Sequence, residues 1–188
     1  MEIEDTGFDG LKVLRPKIFS DERGIFFEFF NRREFNDLVL DVNFVQDNHA
    51  VSFRGVLRGM HFQLPSYAQD KLIRVTNGEA YCVVADLRRK SNTYGKTFSV
   101  LLNDANKKQL FIPKGFANGY LSLEDNTVYQ YKCSNYYNKE SERGIIWNDP
   151  TLDIDWGEYW VNMDHLIISP KDRTLPRFKD IKDKIKFD

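Results

Sequence analysis

Lys71-Leu72-Ile73-Arg74-Val75-Thr76-Asn77-Gly78-Glu79-Ala80-Tyr81-Cys82-Val83-Val84-Ala85-Asp86-Leu87 decides the fold class. Two short runs rich in β-branched and aromatic residues, Leu72–Asn77 and Ala80–Leu87, flank the turn signal Asn77-Gly78 and read as strand, turn, strand. The same texture continues on both sides. Upstream it predicts strands at Leu11–Phe19, Ile25–Phe30, Phe44–Gln46 and Gly55–Gln63. Downstream it predicts Phe98–Asn103, Gln109–Ile112, Gly119–Glu124, Thr127–Lys132, Gly144–Trp147 and Leu166–Ile168. Asp-Glu-Arg-Gly at 21–24, Pro113-Lys114-Gly115 and Glu124-Asp125-Asn126 supply further turns. Many short strands at this spacing point to an all-β sandwich or barrel, a jelly-roll-like domain with few residues left for helix. Asn31–Leu38 is the best helix candidate, with Asn31 as its cap and Phe35 and Leu38 on one face. The tail Lys179–Asp188 alternates charges with Ile and Phe and reads as a solvated end or a short docked helix.

Composition bounds the function. The 188 residues are 41% hydrophobic and 29% charged, which suits one core and excludes a disordered polar tract. No repeat, linker or low-complexity segment interrupts them, so a single domain over 1–188 is expected. Lys and Arg number 27 against 28 Asp and Glu, a net charge of −1, which gives no global pull toward nucleic acid or an anionic membrane. Cys82 and Cys133 are too few for a disulfide scaffold and suit a reducing compartment. No apolar run approaches the roughly 20 residues that span a bilayer. The start, Met-Glu-Ile-Glu-Asp, has neither the basic residues nor the apolar stretch of a secretion signal. A soluble, cytoplasmic protein is expected.

Three histidines are few enough to weigh singly. His49 reads as a strand end or turn at the surface, and His165 has no partner in its own segment. His61 differs, because it stands in Gly55-Val56-Leu57-Arg58-Gly59-Met60-His61-Phe62-Gln63. A strand built for packing alone rarely carries Arg, His, Gln and two glycines, and glycine inside a strand marks a bulge or a close approach. Strict alternation puts Arg58 and His61 on opposite faces. Both line one pocket only if Gly59 permits a bulge that resets the register. A buried histidine bonded to backbone explains His61 equally well at this point. A cupin-type metal site needs two or three histidines and a carboxylate, often as His-x-His. Here Gln63 holds the +2 position and Asn118 is the nearest comparable residue downstream, so no catalytic metal is expected. Period-2 alternation turns Lys71 to the side of Ile73 and Val75, toward the interior, although a strand-start lysine in solvent gives the same pattern. Thr127, Tyr129 and Tyr131 share a face that core packing alone explains. Asp172 could serve as a helix or turn cap. The residues make a plausible cluster of His, Lys, Tyr, Asp and Arg without naming a reaction.

Nine segments, in order, carry a resemblance. They are Phe19-x-Asp21-x-Arg23-Gly24-x-Phe26-x-Glu28, Phe44-Val45-Gln46-Asp47-Asn48, the stretch 55–63, and Lys71-Leu72-Ile73-Arg74-Val75-x-x-Gly78. Asp86-Leu87-Arg88 with Ser91-x-Thr93-Tyr94-Gly95, Ile112-Pro113-x-Gly115-Phe116-Ala117, and Tyr131-Lys132-Cys133 with Tyr136-Tyr137 come next. Trp147-Asn148-Asp149-Pro150 and Ile168-Ser169-x-Lys171-Asp172 complete the set. Together they resemble the dTDP-4-dehydrorhamnose 3,5-epimerase family from Phe19 to about Asp172.

The resemblance implies a metal-free cupin-type jelly-roll barrel (a double-stranded β-helix) with a few short helices and no cofactor. It implies a homodimer in which an amino-terminal strand crosses to the partner, and a nucleotide-linked 4-keto-6-deoxyhexose substrate inverted at C3 and C5. By resemblance His61 is the general base, oriented by Asp172. Lys71, with Arg58, steadies the enolate oxygen, and Tyr131 returns a proton to the opposite face. Arg23 and Arg58 meet the diphosphate. Phe19, Phe26, Glu28, Gln46 and Asn48 hold the nucleotide, and Gln63, Asn118, Tyr137 and Trp147 line the pocket.

Two departures bear on the chemistry. The family's Gly-Phe-Ala-His-Gly-Phe is here Gly115-Phe116-Ala117-Asn118-Gly119-Tyr120, and its Gly-Glu-x-Phe-Asp-Val is Gly78-Glu79-Ala80-Tyr81-Cys82-Val83. Asn118 carries no proton charge, and Cys82 removes a carboxylate near the base. The competing readings are a monofunctional C3- or C5-epimerase of a related sugar nucleotide, a non-catalytic sugar-nucleotide-binding cupin, and a metal-dependent cupin. The shortage of histidines argues against the last.

Overall fold

The computed structural model describes residues 1–159 and 163–187. Its strands, in chain order, are β1 (Glu2–Asp5), β2 (Lys12–Arg15), β3 (Ile18–Asp21), β4 (Gly24–Phe27), β5 (Gln46–Ser52), β6 (Val56–Gln63) and β7 (Lys71–Asn77). Then come β8 (Glu79–Asp86), β9 (Thr97–Asn103), β10 (Gln109–Ile112), β11 (Phe116–Ser122), β12 (Thr127–Cys133), β13 (Glu142–Gly144) and β14 (Ile167–Ile168). The short α-helices are α1 (Arg32–Leu38), α2 (Pro170–Arg173) and α3 (Phe178–Ile181).

Period-2 alternation decides which layer each side chain enters. On β8, Ala80, Cys82 and Val84 join the cluster between the sheets, with Ile73, Val75, Leu110 and Tyr129 of the facing sheet. The alternate residues Tyr81, Val83 and Ala85 pack outward against Trp156, Phe178, Ile185 and Phe187 of the carboxyl-terminal segment. A strand buried on both faces needs the near-continuous apolar run that 80–85 supplies. One sheet runs β1-β2-β10-β7-β12-β5 and the other β13-β6-β11-β8-β9, with β14 added in parallel along β6. They face each other as a cupin-type jelly roll. Helix α1 lays Phe35 on the outer face of the first sheet, against Leu14, Leu72 and Phe111. As expected, Asn31 caps α1, its side chain accepting from the Arg33 and Glu34 amides.

Several boundaries differ from the sequence expectation, each for a local reason. The run Leu11–Phe19 is two strands, β2 and β3, with Pro16 and Lys17 between them; proline has no amide for a central ladder. The strand expected at Phe44–Gln46 instead runs from Gln46 through His49 to Ser52 as an edge of its sheet, where few apolar residues are required. Strand β1, also at an edge and rich in Glu and Asp, carries no apolar signal. The segment expected at Gly144–Trp147 pairs earlier, as β13. The tail is docked rather than solvated, with Ile185 and Phe187 buried; Asp188 lies outside the described residues. His49 and His165 are exposed, as expected.

Candidate active site

Strand β6 has the break in register that a shared pocket for Arg58 and His61 requires. Its pairing with β11 matches Arg58 to Tyr120 and His61 to Asn118, so three steps on β6 answer two on β11. Gly59 takes φ +128°, and a Cβ there would stand 2.5 Å from the Gly119 Cα, so only glycine fits the bulge. The reset brings Arg58 and His61 to the same cavity, together with Lys71, Asn118, Tyr131 and Asp172. Its volume of about 660 Å³ falls in the range that holds a small ligand.

Asp172 comes from far along the chain. Strand β14 pairs in parallel with β6, Ile167 beside Val56 and Ile168 beside Leu57, and delivers α2 to the mouth of the barrel. Ser169 caps this short helix by accepting from the Asp172 amide. The Asp172 carboxylate then bridges two groups on β6: Oδ1 lies 2.7 Å from His61 Nε2, and Oδ2 accepts from the Gly59 amide at 3.3 Å. Burial opposes the charge, yet the bonds from His61 and Gly59 hold the Asp172 carboxyl below the usual range. A carboxylate only accepts, so the imidazole proton sits on Nε2 and Nδ1 keeps its lone pair. His61 is thereby set up as a base.

Lys71 and Tyr131 face it from the other sheet. Lys71, on β7, donates from Nζ to Asn118 Oδ1 at 2.6 Å and lies 5.7 Å from the centre of the Tyr131 ring. Burial lowers its pKa from the ordinary lysine value, with Cys133 and Glu142 opposing. Burial, then Cys133 and Tyr120, push the Tyr131 hydroxyl up to about 12, against the pull of Arg58. At neutral pH Tyr131 is therefore a proton donor. A base on one wall, with a fixed cation and a protonated phenol on the opposite wall, suits proton transfer next to a carbonyl. Among the described residues no three His, Cys, Asp or Glu side chains gather where they could hold a metal ion.

Of the other residues singled out from the sequence, Gln46 and Asn48 stand on edge strand β5. Gln46 Nε2 donates to Asn48 Oδ1 at 3.1 Å, and Asn48 also meets the Cys133 sulfur. Tyr137 donates its amide to Gln46 Oε1 and its hydroxyl to Glu142, which also receives Lys171 Nζ. Two stand elsewhere in the single chain. Trp147 packs against the outer core cluster, and Gln63 is buried at the end of β6 with its Oε1 unpaired among the described residues. Neither is on the cavity wall. Phe19, Phe26 and Arg23 sit on the β3–β4 hairpin around a pocket of their own, and Glu28 accepts from Asn31 Nδ2. Within one chain these four are not brought to the cavity. Tyr120 and Lys171, by contrast, line it and were not singled out from the sequence. Alternation from Asn118 points to Tyr120, and Lys171 is a matched position of the segment Ile168-Ser169-x-Lys171-Asp172 that carries the resemblance.

A family model described as dTDP-4-dehydrorhamnose 3,5-epimerase matches residues 5–180. The dTDP-4-dehydrorhamnose 3,5-epimerase of Escherichia coli (strain K12) is 47% identical over 176 residues, 93% of each chain. That of Methanothermobacter thermautotrophicus is 48% identical over 169 residues, 90% of each chain. Among solved structures, the dTDP-6-deoxy-D-glucose-3,5-epimerase of Legionella pneumophila Philadelphia 1, in complex with dTDP-4-keto-L-rhamnose, superposes with a TM-score of 0.91 at 40% identity. It covers 100% of this chain and 98% of that one. A 3'-monoepimerase of Streptomyces bikiniensis, in complex with dTDP-quinovose, superposes with a TM-score of 0.85 at 28% identity, covering 94% of this chain and 88% of that one.

Proposed function

The chain belongs to the dTDP-4-dehydrorhamnose 3,5-epimerase family, and on that premise we propose that it inverts C3 and C5 of dTDP-4-dehydro-6-deoxy-D-glucose to give dTDP-4-dehydro-L-rhamnose. The observation that carries this reading is the meeting of His61, Lys71 and Tyr131, from two facing sheets, with Asp172 of α2 at one cavity.

The C4 ketone makes the protons on C3 and C5 acidic, because the carbanion left behind delocalises onto oxygen as an enolate. His61 Nδ1 takes the proton from carbon, and the imidazolium that forms is stabilised by Asp172. Lys71 Nζ holds the developing negative charge on the C4 oxygen, where a preorganised cation is most effective. Tyr131 then gives its proton to the opposite face of the enolate. Return from the side of removal would only exchange the hydrogen; return from the far side inverts the carbon. The reaction moves protons without net oxidation, so the reading requires no cofactor. Arg58 is assigned to the diphosphate, with Gln46 and Asn48 toward the nucleotide.

The reading includes a second copy of the chain. Phe19, Phe26, Glu28 and Arg23 resemble the nucleotide grip, yet Phe19, Phe26 and Arg23 lie on a separate two-stranded hairpin, with Glu28 just after it. Phe19 is 53% and Phe26 72% exposed. A homodimer that exchanges this hairpin would bring them to the partner's cavity. No helix among the described residues is long and apolar enough to cross a membrane. A nucleotide-linked substrate and two unpaired cysteines suit the cytoplasm, where we place the enzyme.

Proton NMR of dTDP-4-keto-6-deoxyglucose in heavy water, with chelator present, tests the reading. Deuterium is expected at both C3 and C5 with the wild-type protein and at neither with His61→Asn. Exchange at one carbon would replace the reading with a monofunctional epimerase. Binding without exchange would replace it with a sugar-nucleotide-binding protein.

A further inference from the structure

Ser52, at the end of β5, is 2% exposed, and its hydroxyl is shared by two residues of the cavity wall. Tyr120 Oη lies 3.0 Å from Ser52 Oγ, and Arg58 Nε donates to the same oxygen at 3.4 Å. Tyr120 and Arg58 are partners across β11 and β6, at the step where the register shifts. Tyr120 is not free to swing. It is 4% exposed, and its ring lies flat on Tyr129, with centroids 3.9 Å apart and planes 8° from parallel. Arg58 is exposed; its Nε donates to Ser52, and its guanidinium also interacts with the Tyr120 hydroxyl. A rigid phenol, a buried serine and one edge of an exposed guanidinium thus form a chain.

We propose that Tyr120 is a positioning residue which, through Ser52, holds the Nε edge of Arg58 so that its terminal N–H groups are presented to an anionic part of the ligand. In the functional reading above, on which this inference rests, that anion is the diphosphate. An unrestrained arginine loses rotamer freedom when it grips a ligand, and a restrained one has lost it beforehand. The ring of Tyr120 would pack as well if it were phenylalanine. The hydroxyl adds the bond to Ser52 and a direct interaction with the Arg58 guanidinium.

The test is calorimetric titration with dTDP, alongside exchange kinetics, for wild type, Tyr120→Phe, Ser52→Ala and Arg58→Ala. Tyr120→Phe should weaken dTDP binding by about fivefold to tenfold, and Ser52→Ala, which removes the Arg58 Nε bond as well, by at least as much. KM should rise by a similar factor, with a smaller change in kcat. In the Arg58→Ala background the Tyr120→Phe change should add nothing further, since the residue it positions is gone. Undiminished dTDP affinity in Tyr120→Phe would overturn the proposal. So would an equal loss with and without Arg58. Circular dichroism checks the fold of each variant, and the near-isosteric Tyr120→Phe remains informative if Ser52→Ala unfolds. Binding is read without turnover, so a wild-type protein that binds dTDP but exchanges no proton would overturn the epimerase reading while the role of Tyr120 is still measured.

Discussion

Lys71 and Asn118 join the two sheets across the cavity, Nζ donating to Oδ1 at 2.6 Å from β7 to β11. An amide whose oxygen is turned to an ammonium has its Nδ2 turned away, which leaves a neutral donor beside the positive charge. Asn118→Asp would set a carboxylate against Lys71 and cancel the charge that the enolate requires. The expected result is a fall in kcat of about 10²-fold, comparable to removing an oxyanion donor, measured as deuterium entry at C3 and C5. Asn118→Ala should cost less, because Lys71 keeps its charge.

Asp172 fixes the tautomer of His61 by accepting from Nε2. In Asp172→Asn the amide can donate instead, which favours the imidazole with its lone pair on the wrong nitrogen. Exchange at both carbons should drop by about 10³-fold or more, as in other carboxylate–imidazole pairs. The same substitution has a signature in stability. The folded-state pKa of Asp172 is depressed, so near pH 4 the folded protein binds fewer protons at this group than the unfolded chain. The stabilisation is present above the unfolded value of about 3.9 and is lost as pH falls through the lower folded value. Thermal unfolding should therefore show Asp172→Asn less stable than wild type at neutral pH, with the difference closing in acid.

On the alkaline side two groups compete to lose a proton. Burial moves the Lys71 ammonium down from the ordinary lysine range and pushes the Tyr131 hydroxyl up to about 12. As pH rises Lys71 loses its proton first, and with it the cation beside the enolate. The alkaline fall in kcat/KM for exchange is thus assigned to Lys71. Lys71→Arg, which stays charged, should retain measurable exchange and lose that limb. Tyr131→Phe should keep the limb in exchange while yielding no inverted product. A limb that vanished in Tyr131→Phe would reverse the assignment.

The barrel was legible because its central strands are apolar on one or both faces: β8 alternates Ala80, Cys82 and Val84 inward against Tyr81, Val83 and Ala85 outward. Edge strands were not. β5 and β1 are held by pairing on one side, and polar residues such as Asn48, His49 and Glu4 satisfy that as well as apolar ones. The bulge at Gly59 was legible from the conflict between alternation and a shared pocket for Arg58 and His61. Trp147 stands away from the cavity of the single chain, where the segment expected as a strand at Gly144–Trp147 pairs earlier, at Glu142–Gly144. The tie between Asp172 and His61 lies beyond any local pattern, spanning 111 positions. Only the resemblance to a family brought those two residues together before the fold did.

The β3–β4 hairpin pairs with neither of the larger sheets. Ile18, Phe19, Ile25 and Phe26 are 45%, 53%, 55% and 72% exposed, and among the described residues Arg23 pairs only with Asp21. An apolar two-stranded ribbon of this kind gains little from folding alone. If it crosses to a second copy, each cavity draws His61 from one chain and Arg23 from the other. Arg23→Ala and His61→Asn should each abolish activity as pure homodimers. When the two are unfolded together and refolded at equal amounts, half the dimers are mixed, and each mixed dimer holds one doubly altered cavity and one intact cavity. Activity should return to about a quarter of wild type, half the dimers having one working site of two. Light scattering on the same sample should give twice the monomer mass. If each chain closed its own site, mixing would restore nothing, because every cavity would still carry one of the two substitutions.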